Sequence, residues 1–553
     1  MIIYPIDLTY WLTDEYEECQ IRLENELQEI RKDQFEPDER IVFRHTGDIY
    51  IKNSRLGLVL RNVQTILNEV DISNAFVEIT SSNPNIATEM KLVQQISQDP
   101  VPMNYSSIDS QEFQVKRLQL HPVSQKENYQ YGSVNPLKIS LESISDRERK
   151  LLSESKTFCM YPWIHLHAFP TGEAMPCCMT EHHAGSIGNC RENTLKEIWN
   201  SPQQKQLRLD MLNERPNPMC GRCYEQEEAG FFSGRQSANK HHGHLIDRVL
   251  ETEEDGHYEN FQLAYWDIRF SNLCNLKCRS CGHIFSSQWY KDQAALAGPE
   301  WAKNNQPLNH AGRHDRDMLE QLLEHIDYVE QIYFAGGEPL VMEEHYIILD
   351  ELIRHNKTDV RLVYNTNFTK VRLKDKWAFE QWQHFPNVAV GASLDGMNKH
   401  AEYIRSGTTW SDVEKNRQDL LEMCPHVDFY VSPTLSIMNS LHIVDFHRDW
   451  VEKGFIKPQD FNVNILLDPQ HYRIDIATPE LKNQIRNRYR QHLEWLRPLD
   501  RLNRATVGYE SALNLLENDN TDLIPTFWEK THRLDQLRQE RCLDALPELG
   551  ILQ

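Results

Sequence analysis

The sequence predicts an α/β protein built on a parallel sheet, and three observations carry that prediction. Between about residues 260 and 468, strand-like runs alternate with helical ones six times. Each helix supplies the crossover that neighbouring parallel strands require. Seven of the twelve cysteines fall into two groups with ligand-like spacing, one at the start of that region and one before it. Acidic residues outnumber basic ones by 82 to 59, for a net charge of −23. Such a surface repels nucleic-acid backbones and anionic membranes, so neither is expected as a partner.

The N-terminal "MIIYPIDLTYWLTDEYEE" has no basic n-region, and no run approaches the roughly 18 apolar residues that span a bilayer. A soluble cytoplasmic protein is expected. Residues 1–145 read as an α/β domain of unknown role. There "ERIVFRHTGDIYI" and "NAFVEITSS" look like strands, with helical periodicity in "LGLVLRNVQTILNEV" between them. Residues 81–137, rich in Ser, Asn, Pro and Gln, read as loop or linker. From 150 to 250, Cys, Pro, Gly and His are dense, as in a domain organised around a metal. One helix there, "TLKEIWNSPQQKQLRLDML", is interrupted at Pro202.

From 260 to 470 the expected strands are "LAYWDIRFS", "VEQIYFAGG", "DVRLVYNTN", "NVAVGASLDG", "VDFYVSPTLS" and "DFNVNILLDP". The residues alone fit a curved open barrel or a doubly wound sheet. Either way, functional side chains belong at the C-terminal strand ends. Residues 478–553 read as helices and carry no chemical motif.

The first strand runs into "SNLCNLKCRSCGHIF", where Cys274, Cys278 and Cys281 are spaced C-x3-C-x2-C. Three thiolates reach three irons of a cubane and leave the fourth open to another ligand. The competing reading is a structural zinc site completed by His283, although zinc sites more often show paired C-x2-C units. One strand further on, "YFAGGEP" brings Gly336, Gly337, Glu338 and Pro339. Two glycines let a ligand approach the backbone, and a carboxylate accepts hydrogen bonds from an ammonium.

In the C-x3-C-x2-C triplet followed by GGEP, the chain resembles the radical S-adenosylmethionine superfamily over about residues 260–468. The resemblance implies a partial (β/α)6 barrel and a [4Fe–4S] cluster with an open iron on Cys274, Cys278 and Cys281. S-adenosyl-L-methionine would chelate that iron, with GGEP lining the site of its amino group. Reductive cleavage would then yield a 5′-deoxyadenosyl radical that abstracts a substrate hydrogen. Further cofactor contacts carried over are Ser393 of "GASLDG", Arg405 of "YIRSGTTW" beside the methionine carboxylate, and Asn439. Asn365 and Asn367 of "YNTNF" end the third strand, where the family's usual third residue is Gly. The bland reading of Ser393 and Arg405 is a turn hydroxyl and a surface cation.

The earlier group places Cys159, Gly172 and Cys177 ahead of the C-x2-C pair Cys220 and Cys223. On spacing alone these four thiolates could hold zinc. They resemble the SPASM and twitch domains of radical enzymes, which implies one auxiliary iron–sulfur cluster, a [4Fe–4S] by that analogy. Those domains usually follow the barrel; here the site precedes it, as in permuted twitch proteins. Cys178 and Cys190 are spare thiols nearby, while Cys19, Cys424 and Cys542 are isolated. The histidines at 165, 167, 182, 183, 241, 242 and 244 read as packing or solvated residues. The resemblance implies a radical enzyme acting on a peptide or protein, supplied with electrons by a reductant such as flavodoxin or ferredoxin. Modification of a sugar or other small metabolite is the enzymatic alternative, and a zinc-stabilised interaction protein the non-enzymatic one.

Overall fold

The computed structural model describes residues 2–5, 41–46, 75–80, 104–106, 143–180, 182–228, 232–500 and 503–553. The chain forms two units, Met1–Tyr129 with Arg497–Leu499, and Gln130–Leu496 with Asp500–Gln553. In the first, β1 (Ile2–Pro5), β2 (Ile41–Thr46), β3 (Ala75–Thr80) and β4 (Asn104–Ser106) make a parallel sheet in that order. The two strands expected there are present as β2 and β3. The helix expected between them lies outside the described residues. β4 falls within the stretch read as loop or linker: pairing against Glu78–Thr80 makes Asn104–Ser106 a strand despite its polar surroundings.

In the second unit the strands are β5 (His165–Ala168), β6 (Glu173–Met175), β7 (Gly188–Asn189), β8 (Tyr265–Ile268), β9 (Lys277–Cys278) and β10 (Gln331–Phe334). They continue as β11 (Arg361–Thr366), β12 (Val388–Ala392), β13 (Arg405–Ser406), β14 (Asp428–Val431), β15 (Thr434–Leu435) and β16 (Asn464–Ile465). Eight form one sheet in the order β14-β12-β11-β10-β8-β5-β6-β7. The run from β14 to β5 is wholly parallel, whereas β6 and β7 are antiparallel. Helices Asp317–Leu323, Glu343–Arg354 and Trp410–Met423 are among those that alternate with these strands.

The fifth and sixth strands of the expected barrel are less regular than the rest. Pro433 has no N–H and breaks the fifth strand into β14 and β15. The sixth still pairs alongside: Asn462 N–H donates to Val431 C=O, Asn464 N–H to Pro433 C=O and Leu466 N–H to Leu435 C=O. Six strands therefore line up in parallel, as an open (β/α)6 barrel requires.

Register separates the two faces of this sheet. Trp266, Ile332, Leu362, Tyr364, Val390 and Val431 are buried on the helix-covered face. The opposite face carries Asp267, Tyr333, Asn365, Gly391 and Tyr430, the last three in one hydrogen-bonding row. Asn365 is exposed in mid-strand, so this inner face is open. Helices Pro479–Leu496, Thr506–Leu515 and Ile524–Arg538 complete the unit. No helix among the described residues is long and apolar enough to cross a membrane.

Candidate functional site

The cysteine loop leaves the C-terminal end of β8. Cys274 is buried, Cys278 and Cys281 half-buried, and burial raises the pKa of all three, Cys281 to about 12. Neighbouring thiols add to the effect on Cys274 and Cys281, while Arg405 opposes it at Cys278, so the loop suits a cation that would hold all three deprotonated. β9 pairs antiparallel with β13, setting Cys278 opposite Arg405. His283, the residue that would have completed a zinc site, packs edge-on against Trp301 with ring centroids 5.1 Å apart. Among the described residues, no three His, Cys, Asp or Glu side chains converge where a single metal ion could sit.

The GGEP turn lies directly on this loop. Glu338 N–H donates to Leu273 C=O at 2.8 Å. A Cβ on Gly337 would stand 2.1 Å from that same oxygen, so only glycine permits the approach. Gly336 has φ +116, in the region glycine favours. The Glu338 carboxylate is buried and accepts from Leu340 N–H (3.1 Å), Thr366 Oγ1 (2.7 Å) and Asn367 N–H (2.6 Å). Burial pushes its pKa up to about 7, against those hydrogen bonds. Three of its roughly four acceptor positions are filled, and it ties the GGEP turn to the end of β11.

Other expected contacts differ in how free they are. Ser393 is half-buried, and its hydroxyl has no hydrogen-bond partner among the described residues. Asn365 Nδ2 donates to Tyr333 Oη at 2.5 Å on the inner face. Arg405 is already engaged: Nε lies 2.8 Å and Nη2 3.0 Å from the Asp395 carboxylate, and Nη1 is 3.7 Å from Cys278 Sγ. Asn439 is fully buried, donating to Asp395 C=O and Thr434 C=O and accepting from Ser436 N–H. Both of its N–H bonds are thus satisfied internally, so it shapes the loop around Asp395. The sequence reading did not single out Asp395, although it follows Ser393 by two positions at a strand end. Asn367, whose amide donates to Asn275 Oδ1 at 3.0 Å, links the third strand to the cysteine loop.

Local geometry brings the four earlier cysteines around one cavity. Gly172, at φ +89, turns β5 into β6, and a Cβ there would meet Asn189 Oδ1 at 2.7 Å. Cys177 follows β6, Cys159 precedes the short helix Tyr161–Trp163, and Cys220 and Cys223 lie at the start of helix Gly221–Glu228. The chain between them folds as two helices split before Pro202, each with its own N-cap, Thr194 and Ser201. With Met179, Met219 and Arg235, the four thiols line a small cavity of about 20 Å³. Burial raises Cys177 to about 11 and Cys220 to about 12, and the neighbouring thiols add to the effect on both.

The spare thiols lie elsewhere. Cys190 is buried in the core. Cys178 is not among the residues that line this cavity; burial, with the Asp267 carboxylate and then Cys177 adding to it, raises its thiol pKa. That carboxylate is itself 3.0 Å from His167 Nδ1, with both side chains fully buried. Burial opposes its charge, yet His167 and then Arg269 hold Asp267 down to about 2. His165 and His167 each place Nδ1 3.1 Å from a backbone carbonyl of β8, so each carries its proton on Nδ1. The earlier domain thus supplies the strand that continues the barrel's inner face.

Residues 268–433 match the model of the Radical SAM superfamily. Residues 159–224 match that of SPASM, an iron–sulfur cluster-binding domain. No curated protein matches the sequence. Among solved structures, native anSMEcpe with bound AdoMet and the Cp18Cys peptide is 19% identical over 39% of this chain and 56% of that one, with a TM-score of 0.28. Native anSMEcpe with bound AdoMet is 18% identical over 40% and 57%, with a TM-score of 0.29. TYW1 with a lysine-pyruvate adduct is 10% identical over 42% and 71%, with a TM-score of 0.23. The chain spans little more than half the length of the anSMEcpe structures it matches.

Proposed function

We propose that this radical SAM enzyme, whose SPASM domain precedes its barrel, modifies a peptide or protein by abstracting a hydrogen atom. In this reading Cys274, Cys278 and Cys281 hold a [4Fe–4S] cluster with one open iron. When bound, that cluster and S-adenosyl-L-methionine supply the one-electron cleavage that generates the abstracting radical. Gly336, Gly337 and Pro339 shape the cofactor site, and Ser393 and Asn365 offer it polar contacts. Arg405 and Asn439 act through Asp395 and the loop, positioning rather than gripping. Cys159, Cys177, Cys220 and Cys223 hold the auxiliary iron–sulfur cluster.

The observation that carries the reading is the seating of the GGEP turn on a three-cysteine loop at the first strand end. The peptide class is supported by the inner face, where Tyr333 and the exposed Asn365 offer uncharged hydrogen-bonding groups on the same face as the buried Asp267–His167 pair. Such a wall suits peptide amides better than phosphorylated or anionic metabolites. Electrons would come from a flavodoxin or ferredoxin. The test is anaerobic turnover with deuterated candidate peptides, following deuterium into 5′-deoxyadenosine. Transfer from sugars or other small metabolites alone would overturn the peptide assignment.

A further inference from the structure

The segment after residue 478 carries no chemical motif, yet it closes over the cysteine loop. Arg279, between Cys278 and Cys281, has a fully buried side chain. Its Nη2 donates to Asp535 Oδ1 at 2.5 Å and to Glu540 Oε2 at 2.6 Å. The guanidinium also lies 3.7 Å from the ring centroid of Tyr403, whose hydroxyl donates to the same Asp535 oxygen at 2.7 Å. Asp535 belongs to helix Ile524–Arg538, and Glu540 follows the left-handed Gln539 that ends it. Glu540 Oε1 accepts from Ser406 Oγ at 2.7 Å. One carboxylate therefore holds both strands of the ribbon that carries Cys278 and Arg405.

A second set of contacts grips the other side. Arg538 Nε lies 2.7 Å from Asp292 Oδ2, which also faces Lys277 Nζ at 3.4 Å. The Arg538 guanidinium sits 4.7 Å from the ring centroid of Trp289, whose Nε1 donates to Cys278 C=O at 2.9 Å. Lys277, Cys278 and Arg279 are thus all tied, directly or through one residue, to the C-terminal segment.

We propose that this segment is a clamp that positions the catalytic cysteine loop, with Arg279 as the positioning residue through which it acts. The loop has little regular structure of its own, only the two-residue strand β9. A planar guanidinium buried between two carboxylates and an aromatic ring adopts one geometry, which a flexible surface arginine does not. Fixing Arg279 fixes the spacing of Cys278 and Cys281, and Ser406 carries the same constraint to Arg405. The proposal rests on Cys274, Cys278 and Cys281 being the ligands of the catalytic cluster.

The test uses the full chain with Glu540→Gln, Ser406→Ala or Arg279→Lys. In cluster-free protein, iodoacetamide alkylation of Cys278 and Cys281 is followed by mass spectrometry, with Cys177 as internal reference. Loss of a charge-assisted contact should accelerate both reactions about tenfold and leave Cys177 unchanged. After anaerobic reconstitution, iron content should hold while S-adenosylmethionine affinity falls about tenfold. Arg279→Lys keeps the charge but not the fork, and should behave like Glu540→Gln. Unchanged alkylation and affinity in all three variants would overturn the clamp. So would equal acceleration at Cys177 with iron lost from both sites, which marks general destabilisation. A separate Cys274→Ala, Cys278→Ala, Cys281→Ala protein with undiminished iron would overturn the ligand assignment instead, leaving the alkylation result to judge the clamp.

Discussion

Single side chains decide whether this site works. In the proposed assignment Cys278 is one of three thiols for a cluster that normally takes four, so no spare ligand compensates for its loss. Cys278→Ala should abolish 5′-deoxyadenosine formation after anaerobic reconstitution, and undiminished cleavage would refute the assignment. Glu338 raises a different question, because its carboxylate holds the GGEP turn to the end of β11. Burial drives its folded pKa up to about 7, above an unfolded value of about 4.3. Between those two values the native state binds more protons than the unfolded state, so stability falls as pH rises through the window. The slope is on the order of 1.4 kcal/mol per pH unit for one such group. Denaturant midpoints of cluster-free protein should show this slope between about pH 4.3 and 7. Glu338→Gln, which cannot ionise, should flatten it; an unchanged slope would assign the effect to another group.

At the scale of elements, the hairpin β5–β6 shows how one backbone angle places a metal ligand. Gly172→Ala must accept both a left-handed φ and a contact with Asn189, costing roughly 1–3 kcal/mol. The hairpin delivers Cys177, so auxiliary-site iron should fall before catalytic-site iron does, read by iron analysis with and without the three barrel cysteines. Equal loss from both sites would show that the hairpin supports the whole unit. Much of this element structure was legible beforehand. Strand–helix alternation reports local periodicity, and β8, β10, β11, β12 and β14 all appear where the pattern put them. The split before Pro202 was legible for the same reason, since proline acts on its own neighbours. Other features depend on partners distant in sequence. That β5 would pair with β8, a hundred residues on, has no local signature, nor has the grip of Asp535 and Glu540 on Arg279. Asn439 read as a cofactor contact, and the sequence could not show its amide bound to Asp395 and Thr434.

At the scale of the folded unit, the SPASM-like region and the barrel share one sheet. Strand β5 extends the barrel's inner face with His165 and His167, the latter 3.0 Å from the Asp267 carboxylate of β8. Shared burial makes the two regions cooperative in folding, yet their ligand sets remain separate. The four thiols of the earlier site line their own cavity, and neither Cys178 nor any barrel cysteine is among them. The auxiliary site should therefore fill independently of the catalytic one. The deciding protein carries Cys274→Ala, Cys278→Ala and Cys281→Ala and is reconstituted without oxygen. If the auxiliary cluster is a cubane, about four irons per chain should remain, with no S-adenosylmethionine cleavage. Four thiolates satisfy every iron, so that cluster suits electron transfer or structural support rather than substrate chelation. Adding Cys177→Ala should then remove the iron, whereas adding Cys178→Ala should not, because Cys177 lines that cavity and Cys178 does not. Iron near zero with one zinc per chain would replace the auxiliary cluster by a structural metal site. Iron that survives Cys177→Ala but not Cys178→Ala would exchange the two neighbours' roles.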